Sequence, residues 1–187
     1  MLEVFFRGEE AQEEIVVWVD PKDWPKDAPR LWPTIDLAQP DPALIVVGRW
    51  FANIENSGQT PKPLIVKFPD GTIEDFGLYK PGSGSALGFG LPSSCAYYEL
   101  LSERQDQVIA RLLVVPSVYA RLIRANERVT FQNLLPGSCK VNCWFAHHNS
   151  EESTVQLVAS KVTQLTLTAP RPGASRKAAD QTARDRL

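Results

Sequence analysis

Proline and glycine interrupt this chain so often that few folds remain open to it. Fifteen prolines and eleven glycines punctuate its 187 residues. Proline inside a helix removes a hydrogen bond and clashes with the preceding turn, and no segment carries a long apolar stripe at a 3.6-residue period. The apolar residues instead fall into short runs: Leu2–Phe6, Ile15–Trp18, Ala43–Val47, Leu64–Phe68, Cys95–Leu101, Val108–Val115, Tyr119–Ile123, Cys139–Trp144 and Val162–Leu167. These runs are rich in Val, Ile, Leu, Tyr and Phe, and turn residues such as Pro69-Asp70-Gly71, Pro81-Gly82 and Pro136-Gly137 separate them. Short β-prone runs at fairly even spacing predict an all-β protein built as a sandwich or barrel.

Length and charge narrow the functional classes. A chain of 187 residues can bury the core of one large or two small domains. A formal net charge of −2 supplies no basic face for nucleic acid. No window reaches the roughly 20 consecutive apolar residues of a membrane-spanning helix. The opening Met-Leu-Glu-Val-Phe-Phe-Arg-Gly lacks the basic region and long apolar run of a secretory signal, so a chain starting at Met1 is expected in the cytoplasm.

Two segments stand apart from the strand pattern. Residues 20–42 are crowded with proline and tryptophan and predict an irregular excursion held down by Trp24 and Trp32. Residues 169–187 have no apolar periodicity, and Arg171, Arg176, Lys177, Arg184 and Arg186 outnumber Asp180 and Asp185 there. Such a tail is either disordered or an arm that orders on a partner.

No constellation in the sequence nominates an enzyme. The two histidines, His147 and His148, are adjacent, and neighbours on a strand point to opposite faces. Cys139, Cys143 and His147 are spaced by four residues, which on an extended strand separates successive members by ~13 Å, too far to share one metal ion. The same spacing keeps Cys139 and Cys143 from bridging, and leaves Cys95 as a partner for either, or all three as buried thiols. In Ser138-Cys-Lys-Val-Asn-Cys-Trp-Phe145, Cys139, Val141, Cys143 and Phe145 share one face. Pro81-Gly-Ser-Gly-Ser-Ala-Leu-Gly-Phe-Gly90 has neither dinucleotide nor phosphate-loop spacing and reads as a flexible hairpin connection. Glu9, Glu10, Glu13 and Glu14 read as a solvated charge run.

The order of several motifs resembles a known scaffold. Ala43-Leu-Ile-Val-Val-Gly-Arg-Trp-Phe-Ala-Asn-Ile-Glu-Asn-Ser57, Asp75-Phe-Gly-Leu-Tyr-Lys-Pro-Gly82, Phe89-Gly-Leu-Pro92 and Val129-Thr-Phe-Gln-Asn-Leu-Leu-Pro-Gly-Ser-Cys-Lys-Val-Asn-Cys-Trp144 follow one another. That order is similar to bacterial cupredoxin-like proteins of the plastocyanin/methylamine-utilisation type, followed by a carboxypeptidase-regulatory, transthyretin-like β-segment. The resemblance spans roughly residues 14–168. It implies a Greek-key β-sandwich over residues 1–115, a transthyretin-like segment over 116–168 and the basic tail over 169–187. It also implies a periplasmic location where the family's usual compartment holds.

The departures from that pattern set the expected function. Glu99 stands about where the copper-ligating cysteine of the family belongs, Ser102 about where a histidine belongs, and no histidine precedes His147. A His₂Cys set is what a blue copper site needs, so the resemblance implies a scaffold without cofactor, metal or catalysis. The expected role is a structural or accessory subunit docking on other protein subunits of a larger assembly, such as a membrane electron-transfer complex. Trp24, Trp32, Trp50, Arg171, Arg176 and Lys177 are the expected interaction residues, set against burial of the tryptophans in a local core. A small-ligand module is the alternative, with Trp18 and Trp50 stacking on the rings of a carbohydrate.

Overall fold

A computed structural model describes residues 1–7, 14–21, 32–48, 51–89, 95–145 and 148–168. The described chain is all β, in sheets packed against one another as sandwiches. Contacts divide it into two units: Met1–Lys26 with Arg121–Leu187, and Asp27–Ala120. The sequence places the first strands with residues 1–115, whereas the contacts group them with the C-terminal strands. The reason is hydrogen bonding between distant segments, which no local pattern reveals.

In the first unit, β1 (Leu2–Arg7) lies between β12 (Arg128–Phe131) and β15 (Thr163–Thr168), antiparallel to the former and parallel to the latter. A second sheet has the order β11 (Tyr119–Arg124), β2 (Glu14–Pro21), β13 (Gly137–Phe145), β14 (His148–Leu157). Leu2, Val4 and Phe6 are fully buried and alternate with partly exposed residues, as a strand with one face in a core requires. Cys139, Val141, Cys143 and Phe145 are buried along one face of β13, matching the alternation in the sequence. Phe145 meets Phe6 with ring centroids 5.3 Å apart, which packs one sheet on the other. Strand β2 loses its alternation because Ile15 through Val19 are all buried, and a strand covered on both faces reads as a continuous apolar run.

The second unit packs a five-stranded sheet on a three-stranded one. The larger has the order β4 (Leu44–Gly48), β10 (Val108–Val115), β9 (Ala96–Leu101), β6 (Lys62–Lys67), β7 (Ile73–Tyr79). The smaller has the order β3 (Thr34–Asp36), β5 (Phe51–Glu55), β8 (Gly84–Gly88). Their shared core holds Ile35, Ala52 and Ile54 from the small sheet and Val47, Leu64, Val66, Leu100, Leu112 and Val114 from the large one.

Local chemistry sets the hairpins. Pro69-Asp70-Gly71 turns the chain from β6 to β7: Asp70 accepts from the Thr72 amide at 2.9 Å, and Gly71 supplies a φ of +87°. The glycine-rich stretch departs from the sequence expectation. Gly84–Gly88 forms β8, fully paired with β5, and the turn is confined to the residues before it. Small residues there make room for a neighbour: a Cβ at Gly88 would come within 3.3 Å of the Phe51 ring.

Strand β7 is the outer edge of the large sheet, and Ile73, Phe76 and Leu78 are exposed on it. The register between β6 and β7 slips between Pro63 and Ile65, opposite Gly77, whose φ is +92°. A glycine bulge of this kind twists an edge away from flat pairing with another strand.

Candidate functional site: the outer face of the three-stranded sheet

The alternation Phe51-Ala-Asn-Ile-Glu55 sends Ala52 and Ile54 into the core and leaves Phe51, Asn53 and Glu55 on the outside. The register sets Phe51 beside Gly88, Asn53 beside Ala86 and Glu55 beside Gly84. On the other side Thr34 lies beside Asn53 and Asp36 beside Glu55. The outer face therefore runs from an aromatic end, through Thr34 and Asn53, to an acidic end. Along its β8 side only glycine and alanine rise from the sheet.

Trp32 completes the aromatic end. The Asn53 amide donates to the Pro33 carbonyl at 2.9 Å, which ties the chain just after Trp32 to the start of β5. The Trp32 and Phe51 rings lie 5.5 Å apart at 49°, and the two residues are 41% and 40% exposed. At the acidic end the Asp36 carboxylate accepts from the Ser57 hydroxyl, the Ser57 amide and the Ala38 amide. The Ser57 hydroxyl is the main cause holding the Asp36 carboxyl below its usual range.

Beneath this face a buried amide joins the two sheets of the unit. Asn56 is 1% exposed. Its Nδ2 donates to the Thr60 and Tyr79 carbonyls at 2.9 and 2.8 Å, and its Oδ1 accepts from the Gly58 amide at 3.0 Å. Its backbone is tied in as well: the Asn56 amide donates to the Ser83 carbonyl, and the Gly82 amide donates to the Asn56 carbonyl.

Of the interaction residues expected from sequence, Trp32 belongs to this face. Trp24, Trp50, Arg171, Arg176 and Lys177 lie outside the described residues, as does His147. Trp18, offered for sugar stacking, is 1% exposed within β2 and has no open ring face, which corrects that expectation. Sequence reasoning missed Phe51, Asn53 and Glu55, although their alternation with Ala52 and Ile54 was the signal that could have found them.

Other regions are less suited to a site. A cleft of about 570 Å³ opens among the loops after β3, β5 and β9. Its Ser102 hydroxyl donates to Asp106 at 2.8 Å, and Ser102 Oγ also accepts from the Gln107 amide, which ties both residues into the loop after β9. Glu99, where the resemblance places a copper ligand, forms an ion pair with Lys67 at 2.8 Å. Burial, and after it the Glu99 carboxylate, pushes the nearby Tyr97 phenol up. Among the described residues no group of three His, Cys, Asp or Glu side chains is placed to hold a metal. Cys139 and Cys143 are buried and Cys95 is half-buried, and all three carry thiols. No family model, curated protein or solved structure matches the chain.

Proposed function

We propose that this chain is a non-catalytic, copper-free accessory subunit that docks on a larger protein assembly through the outer face of β3–β5–β8. One observation carries the reading: Trp32 and Phe51 sit side by side, both about two-fifths exposed, on a rigid hydrogen-bonded sheet. Large aromatic residues held in place cost little entropy to bury in a partner, and such anchors dominate interface energetics. The sequence resemblance adds a copper-carrier scaffold whose ligand positions hold Glu99 and Ser102, and it extends the partner to a membrane electron-transfer complex. The engagement of Glu99 with Lys67 and of Ser102 with Asp106 favours a structural use of those positions.

Affinity purification of the full chain from its native cells, with mass spectrometry of what co-purifies, tests the reading. Stoichiometric recovery of a defined set of subunits is expected, lost when Trp32→Ala and Phe51→Ala are combined. Recovery that ignores those substitutions would remove this face from the proposal. A chain that elutes alone under native conditions would remove the subunit role altogether.

A further inference from the structure

The described strands of the small sheet carry charge of one sign. β3, β5 and β8 contain Asp36 and Glu55 and no lysine or arginine. These two carboxylates lie directly beside each other in the parallel register of β3 and β5. Among the described residues neither has a basic partner within ion-pair distance. Asp36 is held charged by its Ser57 and Ala38 donors, and the exposed Glu55 beside it adds a second carboxylate that a cation can meet. At the other end of the face stand two aromatic rings, whose π-faces attract cations, arginine above all.

The spacing between the two ends is informative. Phe51 and Glu55 are four residues apart on one strand, which is ~13 Å. An extended segment lying along β5 presents side chains on one face at the same interval, so its residues i and i+4 reach the two ends together. Gly88 lies under the Phe51 ring, and the small Gly84 and Ala86 positions keep the rest of that flank low, where a long side chain can lie flat.

We infer that the partner element this face takes is an extended protein segment with arginines at i and i+4. One guanidinium stacks on Trp32 and Phe51, and the other sits over Asp36 and Glu55. This inference rests on the docking role proposed above and adds the chemistry of the partner. Arginine suits both ends because its planar guanidinium stacks on rings and forks onto carboxylates, which an ammonium does less well.

A labelled peptide with an Arg-Ser-Thr-Ser-Arg centre, titrated with the full chain and followed by fluorescence anisotropy, tests it. Expected are binding that weakens at least tenfold between 50 and 500 mM salt, as exposed charge pairs require, and about tenfold weakening in Phe51→Ala. Glu55→Lys should abolish binding, and a peptide with glutamates in place of the arginines should not bind. Glu55 is exposed, so its substitution leaves the core intact, and the β-sheet circular dichroism of each variant checks this. Equal binding of the two peptides, or indifference to Glu55→Lys, overturns the cationic partner. If native complexes still depend on Trp32 and Phe51 in that case, docking survives and the partner's chemistry is what fails.

Discussion

Asn56 offers the sharpest test of how the second unit is held together. Asn56→Ala deletes two bonds donated to the Thr60 and Tyr79 carbonyls and one accepted from the Gly58 amide. A hydrogen bond of this sort contributes about 1 kcal/mol net, and a buried partner left unsatisfied costs more. Thr60 is exposed and water can serve its carbonyl, whereas Tyr79 is half-buried. The expected loss is therefore about 2–4 kcal/mol, roughly a 30- to 1,000-fold change in the folding equilibrium. Asn56→Asp keeps the shape and the acceptor but turns a second oxygen toward two carbonyls. Burial and that repulsion raise the introduced carboxyl's folded pKa above its unfolded value of about 3.9. A raised carboxyl stabilises the fold most below the unfolded value and loses that contribution as pH rises through the folded one. The deficit of Asn56→Asp against the parent should therefore be larger at pH 7.5 than at pH 4, unlike that of Asn56→Ala. Urea unfolding, with amide exchange of Leu64–Val66 reporting on the second unit, measures both. A loss under about 0.5 kcal/mol for Asn56→Ala, or a pH-independent deficit for Asn56→Asp, would refute the reasoning.

Gly77→Ala should cost about 1–2 kcal/mol in thermal or urea unfolding, because no atom crowds a Cβ there and the +92° φ alone supplies the strain. The Asp36 carboxyl is depressed chiefly by Ser57, so its contribution to stability is present above the unfolded pKa and disappears as pH falls through the lower folded value. Ser57→Ala should accordingly narrow the stability difference between pH 5 and pH 2 in urea titrations; an unchanged difference would remove Ser57 from that role. Burial pushes the Cys139 thiol up, so a thiol reagent at pH 8 should modify Cys95 first and reach Cys139 and Cys143 together with unfolding. Rapid labelling of Cys139 in the native protein would contradict its placement.

How legible the fold was in the sequence depended on burial. Every run picked out by apolar residues, from Leu2–Phe6 to Val162–Leu167, coincides with a strand to within a few residues. The apolar runs leave out β3, β5, β7, β8, β12 and β14. All of these except the central β5, which only alternation marks, lie at sheet edges. An edge strand buries little, so composition does not mark it, and cross-strand hydrogen bonds define it instead. The site divides in the same way. Outward placement of Phe51 and Glu55 follows from alternation alone. The pairing of Trp32 with Phe51, and of Asp36 with Glu55, depends on a parallel register across residues 34–55 that no periodicity encodes.

The position of β1 between β12 and β15 also governs the order in which the protein can assemble during synthesis. β1 is made early, but its hydrogen-bonding partners begin at Arg128 and Thr163. Its apolar Leu2, Val4 and Phe6 gain these strand partners only once nearly the whole described chain has been made. The second unit waits less: β6 with β7 and β9 with β10 close as local hairpins, local contacts form fast, and its longest pairing, β4 with β10, needs the chain only to Val115. A stalled or truncated chain lacking β15 would therefore contain a finished second unit beside an adhesive, half-paired first strand.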